Sequence, residues 1–326
     1  MPGDIQPYID GVLNGNRRML SKTITLIEST HADHQKKARL IMDQLLPHTG
    51  KAIRMGITGV PGAGKSTFID ALGMMLLEMG HKVAVLAVDP SSVVTGGSVL
   101  ADKTRMKKLS IEENAFIRPS PSGGKLGGVA SKTRESMLVC EAAGFDVIIV
   151  ETVGAGQSEV AVASMVDFFL ILMIAGAGDE LQGIKKGVLE LADVVAINKA
   201  DGDNINRAKL AQQQYEMALH ISAPSFSGWR PPVVTCSARE SKGIKEIWNI
   251  VTDHRTILAA TGELDMKRRQ QSLDWMWYLI KESLTESFNS DPQVKNSLTK
   301  IKREVMDGLT SPISAAEKLL TYHNIN

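Results

Sequence analysis

Residues Gly59 to Thr67 read Gly-Val-Pro-Gly-Ala-Gly-Lys-Ser-Thr, which fits G-x-x-x-x-G-K-[ST], the spacing of a loop that cradles phosphate. Backbone N–H groups from Gly59, Val60, Pro61, Gly62, Ala63 and Gly64 onward have to turn inward around the oxygens, a bend that glycine makes without steric penalty; Pro61 itself brings no N–H. Lys65 then reaches the β and γ oxygens, Ser66 offers its hydroxyl to Mg²⁺, and Thr67 stands beside it. This chemistry holds a nucleoside triphosphate. A second constellation, Asn198-Lys199-Ala200-Asp201, fits N-K-x-D, in which the Asp201 carboxylate accepts from N1–H and the 2-amino group of guanine together. Adenine offers neither donor, and a buried carboxylate left unpaired costs about 1 to 3 kcal/mol, so the base preference should exceed about tenfold. Taken alone the tetrapeptide could be a solvated loop. Ser237-Ala238, with Arg239 next to them, fits a further base contact: Ala238 leaves room for the purine, and its N–H reaches the guanine oxygen. A plain turn at a strand end explains that pair almost as well.

Metal and γ-phosphate contacts should come from other loops on the same side. Glu151-Thr152-Val153-Gly154 carries E-x-x-G where GTPases usually have D-x-x-G, so Glu151 would hold Mg²⁺ directly or through water and Gly154 would sense the γ-phosphate. Asp89 and Asp102 are two further metal candidates; for all three carboxylates the competing role is a helix cap. A water-orienting Gln would follow Gly154 directly in Ras-like enzymes. Here Ala155 stands there, and Gln157, three residues on, is the nearest substitute. Lys65, Glu151 and Gln157 are therefore the candidate catalytic set, with the attacking water poorly positioned and turnover expected to be slow. Arg105, Arg118 and Arg134 are possible charge stabilisers, each more readily read as a surface residue. The segment Gly176 to Lys186 combines two early glycines with Asp179, Glu180, Lys185 and Lys186, a composition suited to exchanging ion pairs between two states, or simply to a solvated loop.

These residues need a scaffold that brings strand ends together. Apolar runs recur at 53–58, 83–88, 147–150, 168–174, 194–197 and 233–235, with helical stretches between them, the alternation of a mostly parallel, doubly wound α/β sheet. Each motif follows one of these runs, where such a sheet presents its ligand contacts. The pattern divides the chain into an N-terminal helical extension over 1–50, a nucleotide domain over 51–262 and a C-terminal helical arm over 263–326. Trp275, Trp277 and Tyr278 give that arm bulk more cheaply buried against another subunit than left in water.

Composition excludes several classes. The chain has 326 residues, 43% hydrophobic and 22% charged, with 37 Lys and Arg against 36 Asp and Glu. That balance gives no reason to expect nucleic acid or an anionic membrane as partner. No apolar run approaches the ~20 residues of a membrane span, and the first residues resemble neither a signal nor a transit peptide. Cys140 and Cys236 read as reduced, buried thiols, consistent with a cytoplasmic protein. His31 and His34 form a lone i, i+3 pair without the Cys and His clustering of a metal relay.

Assembled, the chain resembles the G-protein chaperones of methylmalonyl-CoA mutase, the MeaB family, long described as lysine/arginine/ornithine transport-system kinases. The resemblance is carried by Gly59 to Thr67, Val88-Asp89-Pro90-Ser91-Ser92, Glu151 to Glu159 and Gly178 to Lys186, which match the family's phosphate loop and its first, second and third switches in order. It implies a P-loop GTPase using GTP, GDP and Mg²⁺, homodimeric through its C-terminal arm. It also implies binding to a B12-dependent acyl-CoA mutase, gating of adenosylcobalamin delivery and protection of the mutase. Val60 stands where deviant-loop ATPases carry an extra lysine, which disfavours that class. A metallochaperone GTPase or a kinase of an amino-acid transport system are the alternatives.

Overall fold

The computed structural model describes residues 5–89, 106–121, 126–152, 158–176, 186–222 and 228–323. The chain divides into two compact units, Met1–Arg268 and Arg269–Asn326.

In the first unit three helices, α1 (Gln6–Leu13), α2 (Arg17–Glu28) and α3 (Ala32–Leu45), precede the sheet. Asn16 starts α2 by accepting from the backbone N–H groups of Arg18 and Met19 at 3.0 and 3.1 Å, satisfying donors that a helix start leaves without a partner. Leu20, Ile24, Ile27, Ile41 and Leu45 are fully enclosed at helical spacing, so the extension packs into the core. His31 is tied up locally, its ring accepting from Asp33 N at 3.3 Å, and His34 meets Ser29 Oγ at 2.8 Å.

The strands β1 (Ile53–Gly59), β2 (Val83–Asp89), β3 (Ala115–Pro121), β4 (Val147–Thr152), β5 (Phe168–Ile174), β6 (Val194–Asn198) and β7 (Val233–Thr235) form one sheet in the order β3-β2-β4-β1-β5-β6-β7. Every pairing is parallel. Residues of β4 and β6 are buried throughout, as expected of strands covered by helices on both faces. Between them run α4 (Lys65–Glu78), α5 (Leu126–Ala142), α6 (Ser158–Ala163), α7 (Lys186–Leu189), α8 (Ile205–Ser222) and α9 (Ile244–Thr261). From β1 the chain winds outward to β2 and β3, then returns to β4 and continues through β5 on the other side. The carboxyl ends of β1, β4 and β5 therefore meet at the reversal point, where open α/β sheets take their ligands.

Strand β3 is the one that the sequence reading does not anticipate. Ala115–Pro121 contains Pro119 and Pro121 and has only a short apolar start. Two residues without an N–H are tolerated because, among the described residues, β3 pairs with β2 alone, so its other edge needs no donors there.

At the opposite, amino-terminal end of the sheet lies a buried ionic cluster. Asp167, 3% exposed, accepts from Arg54 N at 3.0 Å and from Arg268 Nε and Nη2 at 2.8 and 2.6 Å. Arg268 also donates to the carbonyls of Gly50 and Ala52, and Arg54 pairs with Glu141. Burial by itself would raise the Asp167 carboxyl; the Arg268 hydrogen bonds, then the charges of Arg268 and Arg54, outweigh it and hold the group below its usual range. Arg268 stands in the first turns of α10 (Glu263–Ser290). The start of that helix is thus fastened to the sheet.

The second unit consists of the remainder of α10 with α11 (Pro292–Met306) and α12 (Pro312–Tyr322). Asp291 caps α11 through Gln293 N at 2.8 Å and Val294 N at 3.3 Å and pairs with His323 Nδ1 at 3.0 Å. Phe288 stacks edge-on against the same imidazole, 5.7 Å between centroids, which closes the hairpin. No helix among the described residues is long and apolar enough to cross a membrane.

Candidate nucleotide site

The phosphate loop leaves β1 at Gly59, whose φ of +150° already excludes most side chains. A Cβ there would lie 2.0 Å from the Leu172 carbonyl oxygen, so the loop and β5 approach more closely than any other residue permits. Pro61 and Gly62 form the exposed crest, while Val60 and Ala63 are buried beneath it. Gly64, at φ +86°, opens α4, so the helix N-terminus points its free N–H groups at the loop. Lys65 folds over the loop, its Nζ donating to Gly59 O at 2.8 Å and Val60 O at 3.4 Å. Thr67 is exposed.

Ser66 lies one residue into the helix, and its hydroxyl donates to Glu151 Oε1 at 3.2 Å. Glu151 is 8% exposed and sits near the carboxyl end of β4, in register with Ile57. A hydroxyl and a buried carboxylate facing each other make a pair of hard oxygen ligands, the donor type Mg²⁺ takes. Just beneath, Thr152 Oγ1 donates to Thr58 Oγ1 at 2.7 Å, both side chains buried. This pair ties the carboxyl-terminal ends of β1 and β4 together next to Glu151 in the chain. Sequence reading missed it, since a threonine in a strand carries no mark of a cross-strand partner.

On the other flank Asn198 closes β6 and is 2% exposed. Its Nδ2 donates to Ala63 O at 2.7 Å, and its Oδ1 accepts from Ala238 N at 3.0 Å and from Cys236 Sγ at 3.6 Å. Gly64 makes room for this: a Cβ there would lie 2.9 Å from Asn198 Nδ2. Asp201 Oδ2 accepts from Ser237 Oγ at 2.5 Å, and Lys199 stands exposed between Asn198 and Asp201 with φ +58°. The turn after β7 is held by reciprocal backbone bonds between Ser237 and Lys242, with Arg239 exposed on it. Thus the phosphate loop, Asn198-Lys199-Ala200-Asp201 and Ser237-Ala238-Arg239 converge at one end of the sheet, with Ser66 and Glu151 beside them.

Asp102 and Gln157, together with most of the Gly176 to Lys186 segment, lie outside the described residues, as does the side chain of Asp89. Arg105 does too. Arg118 and Arg134 are not the surface residues expected: Arg118 pairs with Glu28, and Arg134, 9% exposed, donates to Ser164 O at 2.5 Å. Both cysteines are free and buried. Burial pushes the Cys236 thiol up to about 12 and raises Cys140 further still, so neither is a nucleophile at neutral pH.

Residues 20–293 match the family described as Methylmalonyl Co-A mutase-associated GTPase MeaB. The chain belongs to this family. A Mycobacterium bovis protein described as a probable GTPase is 52% identical over 314 residues, covering 96% of this chain and 94% of that one. The GTPase ArgK of Escherichia coli is 49% identical across 95% of each. The mitochondrial methylmalonic aciduria type A homolog of Mus musculus is 46% identical across 97% of this chain and 79% of that protein. Among solved structures, one described as an LAO/AO transport system kinase superposes with a TM-score of 0.79 at 42% identity, covering 98% and 97% of the two chains. This MeaB-family protein is accordingly a GTPase: it binds GTP and hydrolyses it to GDP.

Proposed function

We infer that the protein uses its GTPase cycle as a chaperone of an adenosylcobalamin-dependent methylmalonyl-CoA mutase, gating cofactor loading and protecting the loaded enzyme. The observation that carries the nucleotide half is Asn198, which bonds the phosphate loop and the Ser237-Ala238 turn at once. The base and phosphate readers are thereby one rigid unit, and a change at the phosphates is felt at the base. The mutase half rests on the family's association, by its description, with that enzyme.

In this reading Lys65 leaves the Gly59 and Val60 carbonyls to balance the β and γ oxygens, and the α4 N-terminus adds its backbone donors. Ser66 and Glu151 would hold Mg²⁺, with Asp89 and Asp102 as further candidates; the metal would supply charge neutralisation of the phosphoryl oxygens. Asp201 accepts from the guanine N1–H and 2-amino groups, and Ser237 orients that carboxylate. Gln157 is the candidate to orient water. With no glutamine directly after Gly154, basal turnover falls on the order of 10⁻⁴ to 10⁻² per second until a partner completes the site.

The protein acts as a cytoplasmic homodimer through the C-terminal arm, with neither nucleic acid nor membrane as partner. Support comes from α10, where Leu273, Trp277, Ile280 and Leu284 recur at helical spacing and are 51%, 57%, 39% and 55% exposed. An unpaired apolar stripe of that kind is what a second helix covers. The test is to mix purified protein with a methylmalonyl-CoA mutase under GTP, GDP or no nucleotide. Complex formation that depends on nucleotide, with faster hydrolysis in the complex, is expected; indifference to the mutase in both measurements removes the chaperone reading.

A further inference from the structure

Lys199 is one of two non-glycine residues with positive φ among the described residues, at +58°. Left-handed backbone is unfavourable for a long side chain by roughly 1 kcal/mol or more and persists only where neighbours enforce it. The neighbour here is Asn204. Its side-chain Nδ2 donates to the Lys199 carbonyl at 2.7 Å, and its backbone N–H donates to the Asp201 carbonyl at 3.0 Å. One residue therefore grips both members of the base-reading loop from behind.

The short 3₁₀ turn Gly202–Asn204 makes this possible. Asp201 precedes it in extended conformation (φ −134°, ψ 164°), where an aspartate would ordinarily cap the turn with its own side chain. It makes no such bond; its carboxylate faces Ser237 Oγ instead. Capping by Asp201 would turn the carboxylate away from the base site; without that cap, the turn is closed by the Asn204 backbone N–H on the Asp201 carbonyl. We propose that Asn204 is a positioning residue for guanine specificity: it holds Lys199 left-handed and leaves the Asp201 carboxylate free to read the base. The inference rests on the guanine role of Asp201 proposed above.

Only an amide donor of this length fits the role, because a carboxylate cannot donate to a carbonyl. The expected result is that Asn204→Ala and Asn204→Asp both weaken GDP about five- to tenfold in competition titrations. ADP, read through the same phosphate contacts, should change less than twofold. The effect should vanish on a Lys199→Gly background, since glycine adopts positive φ without help. Thermal unfolding of each variant separates loss of fold from loss of specificity. Two results overturn the inference: the Asn204→Ala loss persisting in full with Lys199→Gly, or an unchanged GDP to ADP ratio. In the last case Asp201→Ala tells which idea fails. If that variant collapses the ratio, Asn204 alone is wrongly assigned; if it does not, the guanine reading of Asp201 falls, and this inference with it.

Discussion

Asn198 donates to the carbonyl of Ala63 at 2.7 Å, across a gap that Gly64 keeps open. Replacing Asn198 by Ala strands this carbonyl and the Ala238 N–H, both buried. An unsatisfied buried group costs about 1 to 3 kcal/mol. Asn198→Ala should therefore weaken GDP and GTP by at least about tenfold in calorimetric titration, with the triphosphate and diphosphate affected alike. A loss restricted to GTP would place Asn198 at the γ-phosphate instead.

Ser66 and Glu151 meet at 3.2 Å. If they share the metal, Ser66→Ala and Glu151→Gln should each raise the Mg²⁺ concentration needed for half-maximal hydrolysis by about tenfold or more. Nucleotide affinity measured in EDTA should stay within about threefold of the parent. Unchanged Mg²⁺ dependence in both variants would shift the metal to other ligands.

Asp201→Asn replaces an acceptor by an amide donor, which suits the 2-oxo group of xanthine. The variant should lose GDP by more than about tenfold and gain xanthosine diphosphate, read by competition against labelled GDP. Retained preference for GDP over ADP would remove Asp201 from base recognition.

Breaking the buried pair Arg268–Asp167 by Arg268→Ala should destabilise the fold by about 3 to 5 kcal/mol, because it takes the main ionic partner from a buried carboxylate. The pH dependence follows from a folded-state pKa below the unfolded value of about 3.9. Such a group contributes stability in full above the unfolded pKa and loses it as pH falls through the folded one. The gap between parent and variant in thermal unfolding should be constant near neutrality and narrow below about pH 4. A gap that widens in acid would contradict the assignment.

Truncation tests the arm, and the cut has to follow the ionic cluster. Removing residues 270–326 keeps Lys267 and Arg268, whose contacts with Asp167 belong to the nucleotide domain. This variant should be a monomer in light scattering that still binds GDP. Trp277→Glu in the full chain should also dissociate the dimer, since it places charge in the proposed helix interface. A truncated protein that remains dimeric would move the interface elsewhere.

The local readings in this chain were set by residue type and spacing. Gly59 to Thr67 announced a phosphate loop because only that order of glycines, lysine and hydroxyl satisfies the steric and electrostatic demands of a phosphate. The runs 53–58, 147–150, 168–174 and 194–197 announced buried parallel strands because β-branched and apolar residues covered on both faces need no alternation. Strand β3 escaped because its prolines contradict strand propensity, and only its place at the sheet edge removes the conflict. Arg118 looked like a surface cation until the fold set Glu28 of the N-terminal extension beside it. Arg268 continues the helical pattern of the arm, and no periodicity reveals that Asp167 waits at the base of β5. The two ion pairs join residues 90 and 101 positions apart in the chain. Hydrophobic periodicity and motif spacing act over a few turns; which carboxylate meets which guanidinium is decided only when strand order is fixed, by the requirement that every buried charge find its partner.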